Sequence, residues 1–556
     1  MKVALVTTPS SVRSGIGDYA RHLLPYLREH CEVELFVDPT LAERGFEGET
    51  ARGADALESR AFDQILYQLG NEQSHAFMAR MVRAIGGTVM QHDWVLFDLA
   101  LAAFPALARG GLKGHALALR EGGLQQARAY ARNWLDRRRA RLHPAPPRDV
   151  EEQAGTILCG WHEPEPAGRW TADHAFVRIP CRGVEEIELE LHVDSGRRVA
   201  ILEGGALLAR GAGSHRLRPA RADEPVLRIT TEGIRVGDEQ RRHGDARRLG
   251  VFVRRIAWRS AAGPGELDLA APCVLRETAV TLARDRFRLP LNRSIVRFAD
   301  AFLVHSEYVK ERILAERNAP TPIGVVHHGS ERRWRDADRR ETRARLGLSG
   351  PWLDSFLVTS FGGVQPHKRV DRALQALALA RAQRGDVRMV LAGSLSGEFD
   401  PRAMVRNLRL EEAVHFTGFV PEELGWEWLH AGDLALNLRG PSSGGTSGGI
   451  FQAFSTGRPV IASDAAEQRE LPDSCVVKVP LGAGEVETLA RVLVELRDDP
   501  ARRAQLEAAA RRFVEEECHW SIVAQRYAEH LASFPRARGA RRSLIATARA
   551  RARTGR

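Results

Sequence analysis

Residues 440–460 run Gly440-Pro441-Ser442-Ser443-Gly444-Gly445-Thr446-Ser447-Gly448-Gly449-Ile450-Phe451-Gln452-Ala453-Phe454-Ser455-Thr456-Gly457-Arg458-Pro459-Val460. A glycine-rich loop leads directly into a helical stretch, and Gly457 with Pro459 stops that stretch ahead of a β-branched run at Val460 to Ala462. Loop, helix and strand in this order are half of a βαβ unit. Thr446 or Ser447 is placed to cap the helix, whose unpaired first-turn amides and dipole then form an anion site suited to a diphosphate. A glycine-rich connector that binds nothing is the plain alternative on composition.

The same alternation extends upstream. A strand from Phe356 ends in Ser360-Phe361-Gly362-Gly363-Val364-Gln365-Pro366-His367-Lys368-Arg369, with a helix from Val370. Further strands are expected at Met389 to Leu391, Val414 to Thr417, Leu434 to Leu438 and Val476 to Val479. Lys368 falls at the carboxyl end of a strand, where open α/β sheets bind ligands. It is one of only five lysines among 81 basic residues, so it reads either as a point charge for a phosphate or as a solvated side chain. These elements make a Rossmann-like domain over 340–534.

The amino-terminal residues repeat the pattern. Strands are expected at Val3 to Thr7, Val33 to Val37, Gln64 to Gln68 and Thr88 to Gln91, with a helix opened by Ser14-Gly15-Ile16-Gly17-Asp18. Ala301 to Val304 and Ile323 to Val326 continue the series, so a second Rossmann-like domain is assembled from 1–110 and 273–335. Between them lie an Arg-rich helical linker over 111–155, broken at Pro144, Pro146 and Pro147, and a segment over 156–260 without helical period. Its short alternating runs (Ala175 to Ile179, Ile187 to His192, Val199 to Leu202, Val226 to Thr230, Val251 to Trp258) fit an inserted all-β sandwich or jelly roll.

Charge and composition narrow the classes. The chain of 556 residues is 44% hydrophobic and carries a net charge of +10. Eight of those charges are arginines in 536–556, a stretch with no acidic residue, which leaves +10 − 8 = +2 on the rest. A nearly neutral body without basic-aromatic platforms argues against nucleic acid as a partner, whereas the basic tail over 535–556 suits an anionic membrane surface and cannot form a core. No apolar run reaches the ~20 residues that cross a bilayer, and the amino terminus reads as a strand and not as a signal peptide, so a cytoplasmic protein, peripheral at the inner membrane face, is expected. Six scattered cysteines show no metal or disulfide spacing, and Asp336-Ala337-Asp338 sits in a polar Arg-rich stretch and reads as a solvated turn.

Taken together, these motifs resemble the retaining glycosyltransferases of family 4, which have two Rossmann-like domains (GT-B) facing a cleft. The segments are Gly362 through Lys368, Leu391-Ala392-Gly393, Phe416-Thr417-Gly418-Phe419-Val420-Pro421 with Leu424, and Gln452 through Ile461. Ser14-Gly15-Ile16-Gly17-Asp18-Tyr19, Val304-His305-Ser306 and Val326-His327-His328-Gly329 are similar to the family's amino-terminal segments. The resemblance covers about 390 residues, leaving out insert and tail. It implies a nucleotide-diphosphate sugar as donor, a sugar or lipid-linked acceptor hydroxyl, retention at the anomeric carbon, and no metal or other cofactor. It further implies donor contacts from Gly15, Gly17, Lys368, Gly445, Thr446, Ser447, Gly448 and Gln452.

Tyr67-Gln68-Leu69-Gly70-Asn71 with His75, and Gln91-His92-Asp93-Trp94, resemble two further segments of a subgroup. On that resemblance His92 faces the cleft as the catalytic side chain, Asp93 orients its other nitrogen, and Asn71 and His75 lie on the acceptor side. A histidine that merely ends a strand is the alternative.

Two departures stand out. The family's paired glutamates fall on Gly444 and Gln452, and the subgroup's single acidic residue falls on Gly445. Gln452 keeps hydrogen-bonding capacity, and the glycines keep none. The alternative function is therefore a non-catalytic nucleotide-sugar or carbohydrate-binding protein that kept the fold. The insert resembles jelly-roll segments of some bacterial polysaccharide glycosyltransferases, and its Trp161 and Trp170 suit either sugar stacking or a sandwich core.

Overall fold

The computed structural model describes residues 1–9, 11–12, 14–44, 49–142, 156–165, 167–193, 197–204, 206–232, 249–270, 286–317, 319–336, 338–395 and 401–536. The proline break at 144–147 and all but the first two residues of the basic tail lie outside them. The described residues form two compact units, one of 1–134, 285–394 and 413–556, the other of 135–284 with 395–412.

The first unit contains two parallel sheets. One orders its strands Ile323–Val325, Ala301–Val304, Thr88–Gln91, Gln64–Leu69, Lys2–Val6, Glu32–Val37 and Arg52–Gly53. The other orders Val414–Gly418, Val387–Ala392, Phe356–Phe361, Leu434–Asn437, Val460–Ser463 and Val476–Val479. Val3 to Val6 are all buried because helices cover both faces, which is why the parallel strands read as near-continuous apolar runs. In each parallel sheet the order in which successive strands are added switches sides at one point, between Lys2–Val6 and Gln64–Leu69 in the first and between Phe356–Phe361 and Leu434–Asn437 in the second. The glycine-rich loops at Gly15, Gly70, Gly362 and 440–445 follow those four strands, where the crevice of an open sheet forms.

The expected carboxyl-terminal boundary needs one correction. The last helix, Trp520–Ser533, lies within 340–534, yet Trp520, Val523, Tyr527 and Leu531 share a core with Leu5 and Leu66 of the first sheet and Leu23 of the Gly15–Leu27 helix. Tyr527 Oη bonds Tyr19 Oη at 2.8 Å, and the Gln64 amide donates to the Leu531 carbonyl at 3.0 Å. The helix's apolar stripe is legible in sequence, but the stripe does not say which sheet it covers.

The second unit carries nine strands between Ile157 and Glu266, paired antiparallel throughout. They are neither helical nor part of a parallel sheet. Four strands went unread in the sequence: Ile157–Glu165, Ala206–Arg210, Gly213–Leu217 and Gly263–Glu266. The last three are short and mostly exposed, so they lack an apolar alternation to detect. Trp161 is buried in this unit's core with its Nε1 donating to the Phe176 carbonyl at 2.9 Å, and Trp170 packs on Phe252 with ring centroids 5.0 Å apart. Trp161 is therefore a core side chain.

Candidate active site

The loop before the Gly448–Ser455 helix positions the centre of the site. Ser447 occupies the N-cap position but makes no side-chain cap bond, so no hydroxyl seals the first-turn amides. By contrast, the Gly15–Leu27 helix is closed by Ser14 Oγ, which accepts from Ile16 N and Gly17 N at 3.2 Å each. The Gly17 amide is thus already used, and a Cβ at Gly17 would lie 3.2 Å from the Thr8 and Pro9 carbonyls. Gly17 allows this helix to approach the Thr8–Pro9 backbone closely, while Gly15 is exposed with nothing near its Cβ position. Of the two helices, the one at Gly448 is the one whose first-turn amides no N-cap side chain closes.

A cavity of about 230 Å³ lies between these helices. Gly15, Asp18, Tyr19 and His22 line it from one side, and Glu422, Gly448, Gly449 and Gln452 from the other. Three residues expected at the donor, Gly15, Gly448 and Gln452, therefore meet across more than 400 positions of sequence. Lys368 approaches the same region: a Cβ on Gly362 would lie 2.7 Å from its Nζ, and a Cβ on Gly449 would lie 3.3 Å from the Phe361 carbonyl beside it. Burial, with the Arg439 guanidinium nearby, pushes the Lys368 amine down to about 7. Arg369, in left-handed conformation, forks onto the buried Glu485 carboxylate and fixes this turn.

The lost carboxylates have identifiable neighbours. The Gln452 amide donates to Glu422 Oε1 at 3.2 Å, so an acid stands one side chain beyond the position that lacks one. Glu422 also accepts from Arg21 at 2.6 Å and lies 3.3 Å from His22 Nε2, while His22 Nδ1 lies 2.6 Å from Glu331 Oε1. Although burial works against its charge, the two carboxylates raise His22 to about 9, and the same contacts hold Glu331 down to about 2. At Gly445, a Cβ would lie 2.0 Å from Asp93 Oδ1, and at Gly444, 2.6 Å from Trp94 Cβ. Ser443 Oγ donates to Asp93 Oδ1 at 2.9 Å, and Val95 N donates to the Ser443 carbonyl at 2.8 Å. No larger residue fits at 444 or 445 while this docking persists. Gly445 is buried, Thr446 is half-buried and Ser447 is buried.

Several expected roles are corrected. His92 is buried, with Nε2 2.6 Å from Gln68 Oε1 and Nδ1 3.1 Å from His305 Nε2, so both ring nitrogens are engaged inside the first half. His305 Nδ1 bonds the Val326 carbonyl at 2.9 Å. A carbonyl only accepts, so His305 carries its proton on Nδ1 and His92 donates from Nδ1; His92 Nε2 is then an acceptor, which requires the Gln68 amide to present its nitrogen. That orientation also gives the otherwise unpaired Gln68 Nε2 a partner. Burial first, then neighbouring histidines, holds His92 well below the ordinary range and therefore neutral. Asp93 does not orient His92, because its oxygens take the Asn71 amide N–H at 3.0 Å and Ser443.

Asn71 is spent on the Phe97–Ala103 helix, accepting from Asp98 N at 2.7 Å and donating to Asp98 Oδ2 at 2.9 Å. His75 is fully buried, folded onto the Gly70 backbone, and burial lowers it to about 4. Neither is placed to meet an acceptor. Asp338 caps the Arg339–Arg345 helix. Among the described residues no three His, Cys, Asp or Glu side chains are grouped to hold a metal ion, and no helix is long and apolar enough to cross a membrane.

Residues 355–499 match the family model for glycosyl transferases group 1. The matched stretch spans the second sheet, the Lys368 loop and the Gly448–Ser455 helix. A GDP-mannose-dependent monoacylated alpha-(1-6)-phosphatidylinositol monomannoside mannosyltransferase of Corynebacterium glutamicum is 29% identical over 204 residues, covering 36% of this chain and 52% of that protein. D-inositol 3-phosphate glycosyltransferase 1 of Catenulispora acidiphila is 30% identical over 266 residues, covering 45% and 58%. The chain spans about half the length of these curated relatives. Among solved structures, Anabaena HepE in complex with UDP aligns over 96% of this chain and 100% of its own at 14% identity and a TM-score of 0.46.

Sequence reasoning missed Glu422, His22, Glu331 and Asp18. Asp18 stands inside the Ser14–Asp18 loop, and Glu422 and Glu331 lie just past motifs that resemble the family's, but nothing local in the sequence says that these side chains turn into the cavity.

Proposed function

We propose that the protein is a glycosyltransferase that moves a sugar from a nucleotide-diphosphate sugar to an acceptor hydroxyl, with retention, in polysaccharide or glycolipid synthesis. The observation that carries this reading is the single cavity bringing Gly15 together with Gly448, Gly449 and Gln452 beside an unsealed helix N-terminus. In the reaction, the bond from the anomeric carbon to the diphosphate oxygen breaks, a bond to the acceptor oxygen forms, and the acceptor proton passes to the departing diphosphate oxygen. Negative charge then develops on the departing diphosphate. Protonated Lys368 and the first-turn amides stabilise it as pre-aimed donors. Glu422, fixed by Arg21 and His22, takes the hydroxyl-binding part left open at Gln452.

One observation favours the binding-only alternative: Gly444 and Gly445 are pressed against Trp94 and Asp93, leaving no room for an acid on that loop. Purified protein incubated with UDP-, GDP- and dTDP-sugars, GDP-mannose included because the corynebacterial relative is named for it, separates the two. A thermal shift followed by release of the nucleoside diphosphate supports the transferase. A shift without release under any acceptor supports the binding protein, and no shift with any donor defeats both.

A further inference from the structure

Residues 109–134 form a helical hairpin whose outer face combines exposed leucines with basic side chains. The Gly111–Leu142 helix breaks at Gly123 (φ 67°, ψ −173°), and the two arms pack together, with the His115 ring 5.2 Å from Tyr130 and 5.5 Å from Trp134. The inner side is tied down. Tyr130 Oη donates to the Leu107 carbonyl at 2.6 Å, Gln126 Oε1 accepts from Leu291 N at 2.9 Å, and Glu121 accepts from Ser294 Oγ at 2.8 Å.

The outer side holds Leu112, Leu119 and Leu124, which are 93%, 48% and 60% exposed. Leu112, Ala116 and Leu119 fall at i, i+4 and i+7 on the first arm, with Lys113 and Arg120 one position further round the helix. Leu124, Arg128 and Arg132 fall at i, i+4 and i+8 on the second. Arg109, Lys113, Arg120, Arg128 and Arg132 are all exposed, and the sole acidic residue of 109–134, Glu121, is buried and bonded to Arg120 and Ser294. The face therefore presents leucines and charge of one sign.

We propose that this hairpin face docks on the surface of an anionic lipid bilayer. Its leucines enter the acyl boundary, and the long basic side chains lie back along the helices to reach headgroup phosphates. A protein partner would have to supply acidic groups matched one by one to cations spread over both arms, whereas a bilayer supplies them as a continuous field. The apolar component sets this contact apart from a purely electrostatic one through the tail, and it does not depend on which sugar the cavity takes.

The full-length protein is sedimented with vesicles of equimolar phosphatidylglycerol and phosphatidylcholine, and with phosphatidylcholine alone. Binding is expected only with phosphatidylglycerol, and both Leu112→Ser/Leu119→Ser/Leu124→Ser and Lys113→Glu/Arg128→Glu/Arg132→Glu should lower it by roughly tenfold or more. A full-length variant with the eight tail arginines changed to glutamine should keep the leucine-dependent part. The proposal is overturned if the leucine variant, shown by thermal unfolding to be folded, binds like wild type, or if all binding disappears with the tail arginines. It is equally overturned if the wild type ignores the vesicles and instead self-associates through these leucines.

Discussion

Lys368 should hold its proton firmly only when an anion is beside it, and this makes donor binding pH-dependent in a defined direction. Burial and the Arg439 charge both disfavour the ammonium and push the amine down to about 7. A diphosphate opposes both causes and draws the value back toward the ordinary 10.4. Only the protonated form grips the anion, so affinity is fully present below about pH 6 and declines as pH rises through 7. From pH 6 to 8 the protonated fraction falls from about nine-tenths to about one-tenth, so Kd should rise about tenfold, or ~1.4 kcal/mol. The probe is a nucleotide-diphosphate sugar, whose phosphates keep a fixed charge in this range. Calorimetry on wild type, Lys368→Arg and Lys368→Met decides the matter. The arginine variant should bind with a flat pH profile, and the methionine variant should bind flatly and more weakly by about 1.5–3 kcal/mol at the acid end. A flat wild-type profile, or a methionine variant of wild-type affinity, refutes the placement of Lys368 in the site.

His22→Gln tests the ion pairs beside the cavity. His22 is raised above its ordinary value of about 6.5, so its contribution is complete below pH 6.5 and lost as pH rises through about 9. The variant should be less stable by about 3 kcal/mol near pH 6, and the gap should shrink to a packing remainder near pH 10; Trp520 fluorescence, beneath the stacked His22 ring, follows the transition. Gly445→Ala drives a Cβ toward Asp93 Oδ1 and should cost about 1–3 kcal/mol in a urea titration, with most of the loss recovered by adding Asp93→Gly. Gln452→Glu alone places a second acid against Glu422 and should weaken donor binding, while Gln452→Glu with Glu422→Gln should restore it. His92→Ala unpairs Gln68 and His305 and should lower thermal stability by about 2–4 kcal/mol-equivalent, an effect that a cleft-facing histidine would not show.

The order of the strands, both glycine-rich loops and the open helix at Gly448 were legible in the chain because they rest on local rules. Apolar runs with both faces covered, glycine before a helix and proline after one each act within a few residues. Lys368 and the Gly448 helix were singled out this way, without any need to know what faces them, whereas Gly15 and Gln452 were marked by the family resemblance. The fates of His92, Asp93, Asn71 and His75 could not be read so, because a polar side chain at a strand end serves core or cleft according to partners far away. Here His305, Ser443, Asp98 and the Gly70 backbone claimed them. The same holds for the missing acids: the sequence shows glycine at 444 and 445 and glutamine at 452, and only the folded chain brings Trp94, Asp93 and Glu422 to those positions from segments 350, 352 and 30 residues away. Local sequence fixes backbone geometry, but the environment of a buried polar group is set by whatever the packing of separate elements delivers to within hydrogen-bond range.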